Sequence, residues 1–149
     1  MLISSGCKTS TSYIDPCYNN FECEFKLNDS DICGHLEVTE DGVCIFNFEA
    51  PTELSGTKIT VDNQDLTVTT DGYTYKFQKD DIPRYSFVND VHHALISATD
   101  YSLNHENDKL TFIEDNGKIE LKFNQLGMLI SIYIENSDIE IIMTNPIKN

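Results

Sequence analysis

Basic side chains are scarce. The 149-residue chain carries 10 Lys and Arg against 25 Asp and Glu, a formal charge of −15, and Arg84 is its lone arginine. Phosphate binding needs clustered Lys and Arg, so the composition argues against nucleic acid. It argues equally against adsorption to anionic lipid surfaces. An acidic balance of this size keeps copies apart by self-repulsion, or attracts a cationic partner or Ca²⁺. The five cysteines, Cys7, Cys17, Cys23, Cys33 and Cys44, contain no C-x-x-C pair, which excludes a zinc ribbon or a thioredoxin-type motif. No apolar run is long enough to cross a membrane as a helix. There is no G-x-S-x-G, and no Ser, Cys or Lys has a recognisable activating context. Carboxylate pairs are uninformative in so acidic a chain, and a glycosidase-type pair needs no local motif. The expectation is a protein that is not an enzyme and needs no cofactor.

What is present is a β pattern. Apolar content is 40%, enough for one domain with a real core. Phe21 to Leu27 alternates cleanly, with Phe21, Cys23, Phe25 and Leu27 on one face. Around Glu40-Asp41-Gly42, a three-residue loop pairs Leu36 with Phe46 and Val38 with Cys44. A two-residue loop would mix the faces, so the first register is expected. Ile59 and Val61 match Val68 and Leu66 across Asn63-Gln64, and these match Tyr75 and Phe77 across Asp71-Gly72. Asn116-Gly117 is expected to pair Phe112 with Leu121 and Leu110 with Phe123. Asn136-Ser137 pairs Ile134 with Ile139 and Ile132 with Ile141. Between these runs, Pro51 to Gly56 reads as a single helical turn.

One stretch changes period. Phe87, Val91, Leu95 and Ala98 recur at helical spacing over residues 86–99, after Pro83, with Ser86 or Asp81 as cap. Such a helix is about 20 Å long and about 10 Å wide. A flat sheet of about ten strands is nearly 50 Å wide. One helix cannot cover it, so the sheet must curl around the helix. The expected fold class is α+β, mostly β: a curled antiparallel half-barrel of about ten strands with one main helix on its concave side. Any concave apolar surface left bare becomes a groove for an apolar ligand. Phe25, Phe46, Phe48, Tyr75, Phe77, Phe87, Val91, Leu95, Phe112 and Phe123 are the residues expected to line core or groove.

The opening Ser4-Ser5-Gly6-Cys7 resembles the lipobox of bacterial lipoproteins, which implies a lipid on the Cys7 thiol. Residues 8–20 are polar and suit a flexible tether, so residues 1–20 are read as anchor and tether and 21–146 as one domain. With Cys7 lipidated, four cysteines allow three pairings. Cys23 and Cys44 face the core about two strand spacings apart, near 10 Å, beyond disulfide reach, and are expected as buried thiols. Cys17 and Cys33 remain a candidate pair.

Two metal-like patterns are weak. Asp29 to Glu40 has acids at loop positions one, three and twelve of an EF-hand and Gly34 at six. Cys33 replaces a hard oxygen at position five, and the flanks alternate as strands. His92-His93 sit about 100° apart on a helix and do not chelate together; they read as surface or helix-edge histidines.

Several phrases resemble an uncharacterised family of small Firmicutes lipoproteins: Asp41-Gly42 before a strand, Ala50 to Ile59, the Ile82-Pro83 helix entry, and Ile139 to Pro146. The resemblance covers residues 21–146. More remotely, the architecture is similar to half-barrel lipoprotein-localisation factors, whose curved sheet holds acyl chains. It implies an extracytoplasmic domain, anchored to the cell membrane only by N-terminal lipid, with an apolar or lipid ligand in the concave face. The alternative is a fully packed interaction or scaffold module with a protein partner.

Overall fold

The computed structural model describes residues 15–78, 87–101, 108–115 and 117–149. Cys7 and most of the expected tether lie outside the described residues, as do Asp81, Pro83 and Ser86 at the helix entry. Six strands come first: β1 (Phe21–Leu27), β2 (Cys33–Val38), β3 (Cys44–Ala50), β4 (Lys58–Val61), β5 (Asp65–Thr70) and β6 (Tyr73–Gln78). Helix α1 (Phe87–Ala98) follows. Four strands close the chain: β7 (Lys109–Glu114), β8 (Gly117–Phe123), β9 (Leu129–Ile134) and β10 (Ile139–Lys148). They form one ten-stranded sheet in the order β6-β5-β4-β3-β2-β1-β10-β9-β8-β7.

The order explains the helix. The first six strands form one meander and the last four another, joined where β1 pairs β10, with Phe25 opposite Met143 and Leu27 opposite Ile141. Both meanders therefore end at edges of the sheet, β6 and β7, on opposite sides. The connection between them must cross the whole face, and α1 is part of that crossing. The helix touches β3 and β4 on one side and β9 on the other. In a flat sheet β3 and β9 would be about 19 Å apart, twice the width of a helix. The sheet curls instead, does not close, and forms a half-barrel with α1 in its concave side.

Face alternation places the core. Phe21, Cys23, Phe25, Leu36, Val38, Phe46, Val61, Leu121, Ile132 and Ile141 are buried at alternate positions on the concave face. Most of the expected registers are present. Leu36 faces Phe46, Ile59 faces Val68, Leu66 faces Phe77, and Ile132 faces Ile141. Gly42, at φ +80°, closes the three-residue loop after β2, where its N–H and that of Val43 bond to Thr39. Pro51 to Gly56 forms one turn, in which the Ser55 N–H donates to the Pro51 carbonyl at 3.0 Å.

Four expectations are corrected. In the β7–β8 hairpin, Leu110 faces Leu121 and Phe112 faces Ile119, a two-residue slip from the expected register. Alternation cannot detect an even slip, because it leaves every side chain on the same face. Gly117, at φ +83°, opens β8 after the turn instead of sitting inside it. His92 is not at a surface or helix edge but only 1% exposed, because the curled sheet covers α1 on two sides. Residues 17–20 are docked and not loose: the Cys17 N–H donates to the Gly127 carbonyl at 2.8 Å, and that of Asn20 to the Thr39 carbonyl. Cys17 and Cys33 are both free thiols, as is Cys23.

The EF-hand-like stretch folds as the β1–β2 turn and strand β2. Asp29 takes φ +56°, and the Ile32 N–H bonds the Ser30 hydroxyl at 3.0 Å. Strands, where an EF-hand needs helices, flank the turn.

Candidate functional site

The ten residues expected to line core or groove fall into two groups. Eight pack inside. Phe25, Phe46, Phe48 and Phe87 meet in one aromatic cluster, with Phe25–Phe46 and Phe46–Phe87 ring centres 5.5 and 5.9 Å apart, both edge to face. Val91 and Leu95 are buried on α1. Phe112 stacks on Tyr101 at 4.5 Å, and Phe123 meets Tyr18 edge-on at 5.6 Å. These contacts use the faces and edges that a ligand would need.

The other two, Tyr75 and Phe77, stand open at 52% and 47% exposure. Tyr73, not among the expected residues, joins them at 68%. The three sit at alternate positions of β6 and so share one face. That face is the concave one, since Phe77 lies opposite Leu66, which is 5% exposed and itself opposite fully buried Val61. Along this row, cover runs out between β5 and β6. The strip is therefore the uncovered continuation of the core, floored by Leu66 and Val68. Its presence follows from strand alternation; its exposure follows from how far α1 reaches, which no local pattern encodes. Tyr73 was reachable by extending the Tyr75 and Phe77 alternation one step back.

Two further clefts lie away from this strip. One of about 220 Å³, lined by Tyr18, Asp41, Asn63, Leu95 and Thr99, opens where the end of α1 meets two turns. It falls below the roughly 300 Å³ of ordinary ligand pockets. A cleft of about 400 Å³ on the convex side is lined by Glu24, Lys26, Gly34, Glu49 and Ile142.

Buried titratable groups lie under the helix. Burial raises the Asp90 carboxyl above its usual range, partly offset by the Ser137 hydroxyl and by His93. The Ser137 hydroxyl lies close enough to Asp90 to lower its carboxyl, though it makes no hydrogen bond of good geometry among the described residues. His92 lies near Asp62, whose carboxylate is held low mainly by the Asp65 and Gln64 N–H groups, each at 2.7 Å. Asp90 and His92 are sealed from solvent, so they read as structural groups. The native state holds the Asp90 proton more tightly than the unfolded chain does. Stability attached to this group is therefore present at low pH and is lost as pH rises through the raised value. Asp90→Asn is expected to raise the thermal midpoint at pH 7, with the gain shrinking toward pH 4; melts across that range check it. The Cys23 thiol is pushed up to about 12 by burial and by Glu22 and Glu24, which leaves it inert as a nucleophile. Burial also raises the Cys17 thiol.

No family model matches the chain, and no curated protein matches it. Among solved structures, an uncharacterized conserved protein from Thermus thermophilus is similar at a TM-score of 0.53 and 8% identity, over 89% of this chain and 80% of that one. At that identity the likeness is one of fold.

Proposed function

We propose that this chain is a non-enzymatic binding domain, held outside the cell membrane by lipid on Cys7, that takes an acyl chain or similar apolar ligand on its uncovered concave strip. The observation that carries the reading is the row Tyr73, Tyr75 and Phe77, open on a face that is otherwise core. A monomer in water gains nothing by exposing three aligned aromatics, and such patches mark binding surfaces. The row spans about 13 Å of strand. About ten methylenes laid along it gross about 8 kcal/mol, before the ordering cost. Binding is then expected at micromolar affinity or weaker.

Titration with a fluorescent fatty-acid probe tests this. Wild type should bind saturably, and Tyr75→Glu and Phe77→Glu should each weaken binding at least tenfold without moving the thermal midpoint. A folded wild type that binds no probe, or variants that bind as well as wild type, would overturn the ligand reading. The tightly packed interior favours a second reading, an interaction module with a protein partner, which that negative result would promote.

The anchor has its own test. Expressed in a bacterium fed an alkyne-labelled fatty acid, the chain should take up label and sediment with membranes, and Cys7→Ala should do neither. Label retained by Cys7→Ala would place the anchor elsewhere or nowhere.

A further inference from the structure

We infer that the outer edge of β6 pairs antiparallel with the β6 of a second copy of this chain, about a two-fold axis through Tyr75. This goes beyond the ligand reading and does not depend on it.

The hairpin decides which backbone groups are free. Asp71 at φ +49° and Gly72 at φ +80° form a two-residue turn of type I′. Thr70 and Tyr73 flank that turn and so form a pair that exchanges both hydrogen bonds. Tyr73, Tyr75 and Phe77 then direct N–H and C=O toward β5, opposite Thr70, Val68 and Leu66. Thr74, Lys76 and Gln78 direct theirs away from the sheet, and no described strand lies beyond β6.

Natural edges are blunted by proline, bulges, inward charges or edge lysines left free to repel a partner. Strand β6 has no proline, bulge or inward charge: it reads YTYKFQ, and its ladder with β5 has no register shift. Its one charge, Lys76, is engaged by Asp65 of β5 at 2.7 Å. Strand β7, at the other edge, carries Lys109 and Glu114 at its two ends. In a chain of net charge −15, an edge strand without an acid is where two copies approach with least repulsion.

Charge and parity then select one register. Outward-facing residues must pair with outward-facing residues, so only shifts of two are open. A two-fold at Lys76 sets two like charges directly opposite, which is unfavourable. A two-fold at Thr74 pulls Phe77 out of the contact and sets Lys76 against the turn. A two-fold at Tyr75 sets Lys76 opposite Thr74, Tyr73 opposite Phe77, and Tyr75 opposite itself. The aromatics meet on the concave side in pairs of a favoured kind. The two sheets become continuous, and six aromatic rings form one strip. A single strand-to-strand contact lies at the small, transient end of interfaces, so the dimer should be weak and concentration-dependent.

Sedimentation across protein and salt concentrations tests it. The dimer fraction should rise with protein and also with salt, because salt screens the repulsion between two acidic copies. Thr74→Pro removes an outward N–H, leaves every backbone bond to β5 in place and loses only the exposed Thr69–Thr74 hydroxyl contact, so it should be monomeric with a midpoint close to that of wild type. Tyr75→Cys, whose Cα atoms would lie about 4.5 Å apart across the axis, should form a disulfide-linked dimer under mild oxidation. Thr74→Cys and wild type, treated alike, should not. A chain that stays monomeric at every salt and concentration while Tyr75→Cys fails to cross-link would overturn the inference. So would equal cross-linking by Tyr75→Cys and Thr74→Cys, which reports random collision.

Discussion

Phe46→Ala is expected to lower the unfolding free energy by about 3–5 kcal/mol. Phe46 has no exposed surface and sits on β3 amid Phe25, Phe48 and Phe87. Truncation removes the transfer free energy of a whole ring and leaves a cavity walled by three other rings. Those rings are held by β1, β3 and α1, so they cannot collapse into the gap without moving the frame. A domain of this length has about 5–15 kcal/mol in all, so the variant should sit near the edge of folding. Urea unfolding would show a lower midpoint with an unchanged slope. A cost under about 1 kcal/mol would mean the concave centre is loose enough to take a ligand, and the candidate site would move there from β6.

Gly34→Ala should be comparably damaging, at about 3 kcal/mol or more, for a different reason. Gly34 does not need a left-handed backbone; it needs the absence of a side chain. A Cβ there would run into the Asn47 carbonyl of β3 and press on the Cα of Phe48. All of these are backbone atoms, with no flexible side chain to step aside. Strands β2 and β3 would have to separate beside the register shift at Cys33 and Gly34, in the centre of the sheet. The measurement is again the urea midpoint, alongside soluble yield. A near-neutral result would show that the bulge lets β3 swing clear.

The sequence made the strands, most hairpin registers and the helix legible, because each rests on local signals that agree. At Leu36–Phe46 and Val68–Tyr75, turn chemistry and face alternation point to the same pairing. What escaped was non-local or even-numbered. The β7–β8 slip keeps its faces and so is invisible to alternation. The β1–β10 pairing, which sets the strand order, joins segments about 120 residues apart and leaves no nearby trace. Without that order, the reach of α1 along the concave face could not be known. Ten residues could be assigned to one face, but not sorted into eight that are covered and two that are bare. Gly34 carried no local sign of its role for the same reason: the backbone it must accommodate belongs to another strand. His92 read as a surface or helix-edge residue because helical spacing alone does not show which flanks of the helix the curled sheet covers.

The seam between β1 and β10 also bears on how the chain comes into being. Strand β1 precedes, and β10 follows, every other described strand of the sheet in the order of synthesis. They lie side by side in the middle of the sheet, where the Asn149 N–H meets the Asn20 carbonyl at 2.9 Å. Until β10 has been made, the first meander carries two bare edges, β1 as well as β6. The closing contact spans nearly the whole chain, and such contacts form slowly. The nascent sheet therefore waits, half exposed, for its tenth strand, and a chain halted before Ile139 would keep that central seam open.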